Sequence, residues 1–276
     1  MSVVPLIRSP SIHNPVTRAE LQHQRYLIAN GRSGNLWISL AGLMLIPALL
    51  ISLALTVGAL LNPFVPLVPA IRSLLGGSQG IVFFLMYLMN VVLYPVVTLV
   101  MLALSLHSIS REKVGNTWDT LRLTNMDARQ IVLGKWWASL RSMGGDQVMV
   151  ALLRFGVSAE IILLLKPLLP ATALPPELIY MPLLIGITIG YTVLDAALTA
   201  ALGILAGVPE QANLVVVPVV IGLRVVITVC ALGLTILTFV SMLGGGILYL
   251  ALTLVGWIIF GLLIWGVLRA AQAFVH

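Results

Sequence analysis

Nine of the chain's twenty-four formally charged side chains (15 basic, 9 acidic) crowd into residues 110–141, SREKVGNTWDTLRLTNMDARQIVLGKWWASLR. They are Arg111, Glu112, Lys113, Asp119, Arg122, Asp127, Arg129, Lys135 and Arg141, and the sequence on either side is almost continuously apolar. A charge at the centre of a bilayer costs at least about 2.5–3.5 kcal/mol, so this segment belongs at or beyond a membrane surface. The chemistry open to it there is docking to a soluble partner. On pattern alone the alternative is an amphipathic loop that rests on the surface and meets no partner.

Catalytic and ligating patterns are missing from the sequence. Gly134-Lys135 ends no phosphate-binding loop, because Arg129 stands at the first glycine of a G-x-x-x-x-G-K-[ST] pattern and Trp136 at the hydroxyl. There is no HExxH, no Ser-His-Asp grouping and no catalytic carboxylate pair, so an enzyme is not expected and neither is a cofactor. His13, His23, His107 and His276 are too dispersed for a metal site. The lone Cys230 excludes an internal disulfide and a cysteine metal cluster.

The elements that must position these residues follow from composition. The chain has 276 residues, 60% of them hydrophobic and 9% charged, with a mean hydropathy of +1.09. Soluble domains carry roughly 25% charged residues, so an integral membrane protein of one domain is expected, all-α and polytopic. Six windows reach the length of about 20 apolar residues that a membrane helix needs: 36–61, 80–108, 147–165, 178–205, 214–240 and 245–268. Residues 1–35 form an N-terminal segment, without the apolar core of a cleavable signal peptide, and 36–276 the membrane domain. The glycines Gly244, Gly245 and Gly246 supply the tight joint between the last two windows.

Charge chooses the orientation. Arg8, Arg18, Arg25 and Arg32 precede the first window, the basic residues of 110–141 lie between the second and third, and Arg269 follows the sixth. With six spans these all fall on one side, while the opposite loops hold only Arg72 and Lys166. The positive-inside rule makes that side cytoplasmic, with both termini and the 110–141 segment on it. The net charge of +6 thus reflects topology, and no nucleic-acid partner is expected. The outer connections read as stiff and extended, 62–79 with Pro63, Pro66 and Pro69 and 167–177 with Pro170, Pro175 and Pro176 after its opening Pro167.

Four charges fall inside windows: Arg154, Glu160, Asp195 and Arg224. At roughly 1.5 Å per residue, Asp195 and Arg224 both lie about 15 Å from the cytoplasmic ends of consecutive spans, and Arg154 about 12 Å. Equal depth predicts an Asp195–Arg224 ion pair, with Arg154 competing for the carboxylate. The pair reads as a staple between helices, the alternative being a substrate or proton site. Gly186, Gly190, Ala197 and Ala201 recur at four-residue steps or near multiples of them, which suits close helix packing.

Within 110–141, Gly115 should end a helical run and 116–123 is helix-compatible. Asn125 stands as an N-cap with Asp127 in the first turn. Ile131, Val132, Trp136 and Leu140 then form an apolar stripe, and Trp136 and Trp137 mark the headgroup level.

The residues Arg111-Glu112-Lys113, Gly115, Thr117-Trp118-Asp119, Leu121, Ile131 and Gly134-Lys135 resemble the first cytoplasmic loop of the ABC-2 type transporter permeases. That loop carries an R-E-(K/R) triplet, a glycine, a T-W/L-(D/E)-x-L stretch and a closing I-V-x-G-K. Asn14-Pro15-Val16, Arg18, Glu20-Leu21 and Arg25 are similar to the N-P-V-x-x-R-E-L-x-x-x-R opening that many of these permeases carry on a surface helix before the first span. Asn125 stands where family members often have proline, and the joint between the last two windows is too short for the re-entrant helices often found there.

The resemblance implies six spans with an N-terminal surface helix and a cytoplasmic coupling segment between spans two and three. It implies two paired permease subunits, identical or different, each resting its loop on a separate ATP-binding subunit. Arg111, Glu112, Gly115, Trp118, Asp119, Leu121, Gly134 and Lys135 would be the coupling residues. The implied function is an exporter subunit in the cell membrane. Sparse polar residues in the spans lean toward an amphiphilic or lipid-like cargo. A non-transporting scaffold subunit of a larger membrane complex is the alternative.

Overall fold

A computed structural model describes residues 15–32, 36–115, 127–165, 176–208, 216–243 and 247–275. These fold as α1 (Pro15–Arg32), α2 (Leu36–Leu61), α3 (Leu67–Leu75), α4 (Gln79–Val114), α5 (Ala128–Ser142), α6 (Gly144–Leu165), α7 (Pro176–Gly207), α8 (Val216–Leu243) and α9 (Ile247–Val275), with no strand among the described residues. Five stretches are long and apolar enough to cross a bilayer: Gly42–Leu61, Gly80–Glu112, Gly144–Leu164, Tyr180–Gly207 and Ala251–Ala273. The 28-residue α8 contains a shorter apolar stretch, Pro218–Cys230. The protein is therefore all-helical over these residues and membrane-embedded. Internal prolines sit in α2, α4 and α7 (Pro47, Pro95 and Pro182) without ending them, as neighbouring helices allow in a bilayer.

α7 lies at the centre, packed against α2, α4, α5, α6, α8 and α9. Its inner half is small and buried, with Ala196, Ala197, Ala200, Ala201 and Ala206 all under 7% exposed. Lipid gives no hydrophobic drive between helices, so close van der Waals approach must hold them. The α7 backbone comes against that of α4 at Gly203 and Gly207, where a Cβ would run into the Leu102 and Leu106 carbonyl oxygens and the Ser105 side chain. Gly190 is filled by the Trp257 ring of α9, whereas Gly186 faces nothing within 4 Å. Large apolar side chains such as Leu43, Phe84, Val91, Val193, Ile258 and Leu262 point outward.

α4 runs on to Val114 and ends at Gly115, as that glycine leads one to expect, with Arg111 and Glu112 in its last turn. Two expectations change. The 62–79 connection is not extended: α3 and a 3₁₀ turn at Gly76–Ser78 occupy it. Pro66 precedes α3 and Pro69 falls in its first turn, where a missing N–H costs no helical bond. Ile71 folds back over Gly58 of α2. The cap of α5 is Asp127, whose carboxylate accepts from Arg129 N at 3.3 Å; Asn125 lies outside the described residues, as do 116–124, 166–175 and the 244–246 glycines.

α1 packs on α5 with its polar face inward. Thr17, Glu20 and Gln24, at helical spacing, are 3%, 3% and 1% exposed, while Tyr26 and Leu27 stand out at 63% and 44%. A helix inverted in this way is suited to a site where its far side meets headgroups and lipid.

Candidate functional site

Three helices that are remote in sequence meet at the C-terminal turn of α4. Ser108 and Glu112 share a face one turn apart. Between them enters Lys135 of α5, wholly buried, which donates to the Ser108 carbonyl at 2.7 Å and lies 2.6 Å from Glu112 Oε1. From α1, the buried Glu20 carboxylate lies 3.3 Å from Lys135 Nζ and 3.1 Å from Arg111 Nη2. Two cations and two carboxylates therefore balance, which a buried ion cluster needs because any uncompensated member is costly.

Hydrogen bonds extend the cluster. Gln24 Nε2 donates to Glu20 Oε1 at 3.0 Å and to Ser139 Oγ at 3.1 Å. The Ser142 hydroxyl donates to Gln24 Oε1 at 2.8 Å. On its other side α5 is fixed to α7 by the Trp136 indole N–H, 2.9 Å from the Ala197 carbonyl. Ile131 and Val132 are buried, and Trp136 and Leu140 pack against the same cores. Trp136 is thus held between helices, and only Trp137 has an exposed ring to offer a headgroup.

The cluster supplies no nucleophile or open acid–base pair. Its chemistry is mechanical, because α1, α4 and α5 cannot move separately without stranding a buried charge. Arg111, Glu112, Lys135 and the buried Gly134 belong to this junction, Gly115 lies exposed at its edge, and Trp118, Asp119 and Leu121 fall outside the described residues. Glu20 was named in the sequence only as part of a motif; nothing in its spacing reveals that it faces Lys135.

A second polar group lies among the apolar helices α4, α6, α7 and α8. Arg224 Nη2 of α8 is 2.5 Å from Asp195 Oδ1 of α7. The Tyr94 hydroxyl of α4 donates to Asp195 Oδ2 at 3.1 Å and accepts from Arg224 Nη2 at 3.1 Å. Arg154 of α6 does not compete for the carboxylate as expected. It donates to Thr192 Oγ1 at 3.1 Å and lies 4.7 Å from the Tyr94 ring centroid, stacked over it. Similar depth put it near the right level, and it reaches the same face of α7 one turn away, at Thr192, while the carboxylate oxygens are taken by Arg224 and Tyr94. Glu160 pairs with Arg72 of α3 at 2.9 Å, a contact the sequence did not signal because Arg72 lies in a connection and the two are 88 positions apart.

No protein-family model, curated protein or solved structure matches this chain.

Proposed function

We propose that this chain is the membrane subunit of an ABC-2 type exporter, driven by a separate ATP-binding subunit and paired with a second permease subunit. The observation that carries the reading is the Glu20–Arg111–Glu112–Lys135 junction. Its members come from the three segments that resemble the permease motifs: the N-terminal helix, the R-E-K triplet and the closing G-K. A loop that is to convert a partner's motion into movement of the spans must be rigidly joined to them, and this junction supplies such a joint.

In this reading α2, α4, α6, α7, α8 and α9 are six spans, and both termini and the 110–141 segment are cytoplasmic, in accord with the positive-inside rule. Residues 115–127 would rest on the ATPase. Closure of the nucleotide-bound partner would push this segment, and α1, α4 and α5 would follow as one body, a rigid-body transition of known type. Arg111, Glu112 and Lys135 act as positioning residues behind the contact and are not the contact itself.

The test is purification of the tagged full chain from its own membrane in mild detergent. The expected result is a stoichiometric companion with a Walker A sequence and vanadate-sensitive ATP hydrolysis, lost when Gly115 and Glu112 are replaced together. Recovery of no such companion overturns the reading.

A further inference from the structure

The ion clusters of this protein differ in one respect. Among the described residues the junction sets two cations against two carboxylates, and Arg72 pairs with Glu160. The group around Tyr94 sets two guanidiniums, Arg154 and Arg224, against the single carboxylate of Asp195. Arginine does not lose its proton in proteins, so this group carries a net positive charge inside the apolar spans. Such charge is normally matched by a partner or by water.

The surplus is on the donor side. Both Asp195 oxygens are taken, one by Arg224 and the other by the Tyr94 hydroxyl. Arg224 spends only Nη2 on these contacts, while its Nε and Nη1 are buried without a partner among the described residues, in a residue 4% exposed. One turn along α7 from Asp195, the Tyr191 hydroxyl is also buried and unpartnered, as is the indole nitrogen of Trp257, whose ring lies on the adjacent Gly190. Arg154, half-buried, forms no ion pair among the described residues. An unfilled set of donors around excess positive charge fits an anionic oxygen ligand.

We propose that Arg154 and Arg224, set on either side of Asp195 and Tyr94, form a binding site for the phosphate or carboxylate headgroup of an amphiphile. The inference rests on the permease reading and names its cargo class. The apolar part of the ligand is argued from α8. That helix packs chiefly on α7 and α9 and leaves Val219, Leu223, Val225, Val226 and Val229 outward, each more than 40% exposed. A chain entering from the bilayer can lie along this face while its headgroup reaches the guanidiniums as α8 moves off α7. The Asp195–Arg224 pair holds the site closed when empty, and the headgroup supplies the missing negative charge.

The test uses the full chain in nanodiscs of neutral phosphatidylcholine. Dibromostearyl phosphate is titrated against dibromostearyl alcohol, with quenching of tryptophan fluorescence as the readout. The phosphate amphiphile is expected to bind at least about tenfold more tightly than the alcohol. Arg154→Gln should abolish that preference without weakening alcohol binding, and Arg154→Lys should keep it, separating loss of charge from loss of packing. Equal affinity of the wild-type protein for the two probes overturns the proposal without recourse to any variant, as does a preference that survives Arg154→Gln. Displacement by millimolar inorganic phosphate overturns the amphiphile assignment in favour of a free anion. Binding needs no ATPase, so the two readings fail separately. A preference without a copurifying ATPase leaves the site and removes the permease, and an ATPase without a preference does the reverse.

Discussion

Lys135 and Glu20 stand 115 positions apart, yet the ammonium lies 3.3 Å from the carboxylate with both side chains almost wholly buried, at 0% and 3% exposure. This contact ties the helix before the first span to the helix that follows the charged segment. Glu112 and Ser108 on α4 take the remaining ammonium donors. The charged segment is therefore anchored at its two ends, by Arg111 and Glu112 where it leaves α4 and by Lys135 where it returns.

Removal of the central cation should be the most damaging change in this junction. Lys135→Met takes away the buried cation that Glu20 and Glu112 share, leaving Glu20 only the half-exposed Arg111, and breaking a buried pair by one partner costs about 3–5 kcal/mol. The apparent melting temperature in detergent, followed by loss of the monodisperse peak after heating, should fall sharply. Lys135→Met combined with Glu20→Gln and Glu112→Gln should recover most of it. Arg111→Gln should cost less than about 1 kcal/mol, since the Arg111 side chain is 42% exposed and solvent screens the pair.

The intramembrane pair makes an asymmetric prediction. Asp195→Asn leaves two guanidiniums without a carboxylate, and should lower the yield of folded protein well below that of Arg154→Gln, which leaves Asp195–Arg224 intact. The double exchange of Asp195→Arg with Arg224→Asp restores the attraction and should recover folded protein relative to either single change. Fluorescence-detected size exclusion of the five variants measures this directly. Equal yields for Asp195→Asn and wild type would remove the pair from the account of stability.

Much of this was readable in the sequence, for reasons that differ by element. The apolar windows were plain because a bilayer demands length and apolarity together, and α2 begins and ends at the bounds expected of it, Leu36 and Leu61. The Asp195–Arg224 contact followed from equal depth on consecutive helices. Depth does not say which groups fill a carboxylate first, however: Arg154 was read as a competitor for Asp195, but Arg224 and Tyr94 take both oxygens and it reaches Thr192 and the Tyr94 ring instead. Proline-rich 62–79 was read as extended, yet Pro66 and Pro69 fall at the start of α3, where they are compatible with helix. Glu20 was hidden because a contact across more than a hundred positions leaves no local periodicity.

Capping offers a test at the edge of the segment. Asp127, and not Asn125, sits at the start of α5 with its carboxylate accepting from Arg129 N. Asp127→Ala should cost about 1 kcal/mol and raise hydrogen exchange selectively at the amides of residues 128–131. Asp127→Ser keeps an acceptor at the same position and should leave exchange close to wild type.

The glycines of α7 separate close packing from mere smallness. At Gly207 an added Cβ would meet the Leu106 carbonyl oxygen, and at Gly203 the Leu102 carbonyl and the Ser105 side chain. Backbone atoms cannot swing aside, so Gly203→Ala and Gly207→Ala must push α4 from α7, with an overpacking cost of about 1–3 kcal/mol each. Gly186 is on the same helix with open space around it, and Ala there removes the helical penalty of glycine, roughly 0.5–1 kcal/mol. Gly186→Ala should therefore hold or raise the melting temperature while the other two lower it. Since α4 carries Ser108, Arg111 and Glu112 at its end, displacement at Gly207 should also loosen the Lys135 junction. Exchange at the amides of α5 should rise in Gly207→Ala and stay unchanged in Gly186→Ala. If it is unchanged in both, the packing of α4 on α7 does not reach the junction, and the rigid body of α1, α4 and α5 is held by its ion cluster alone.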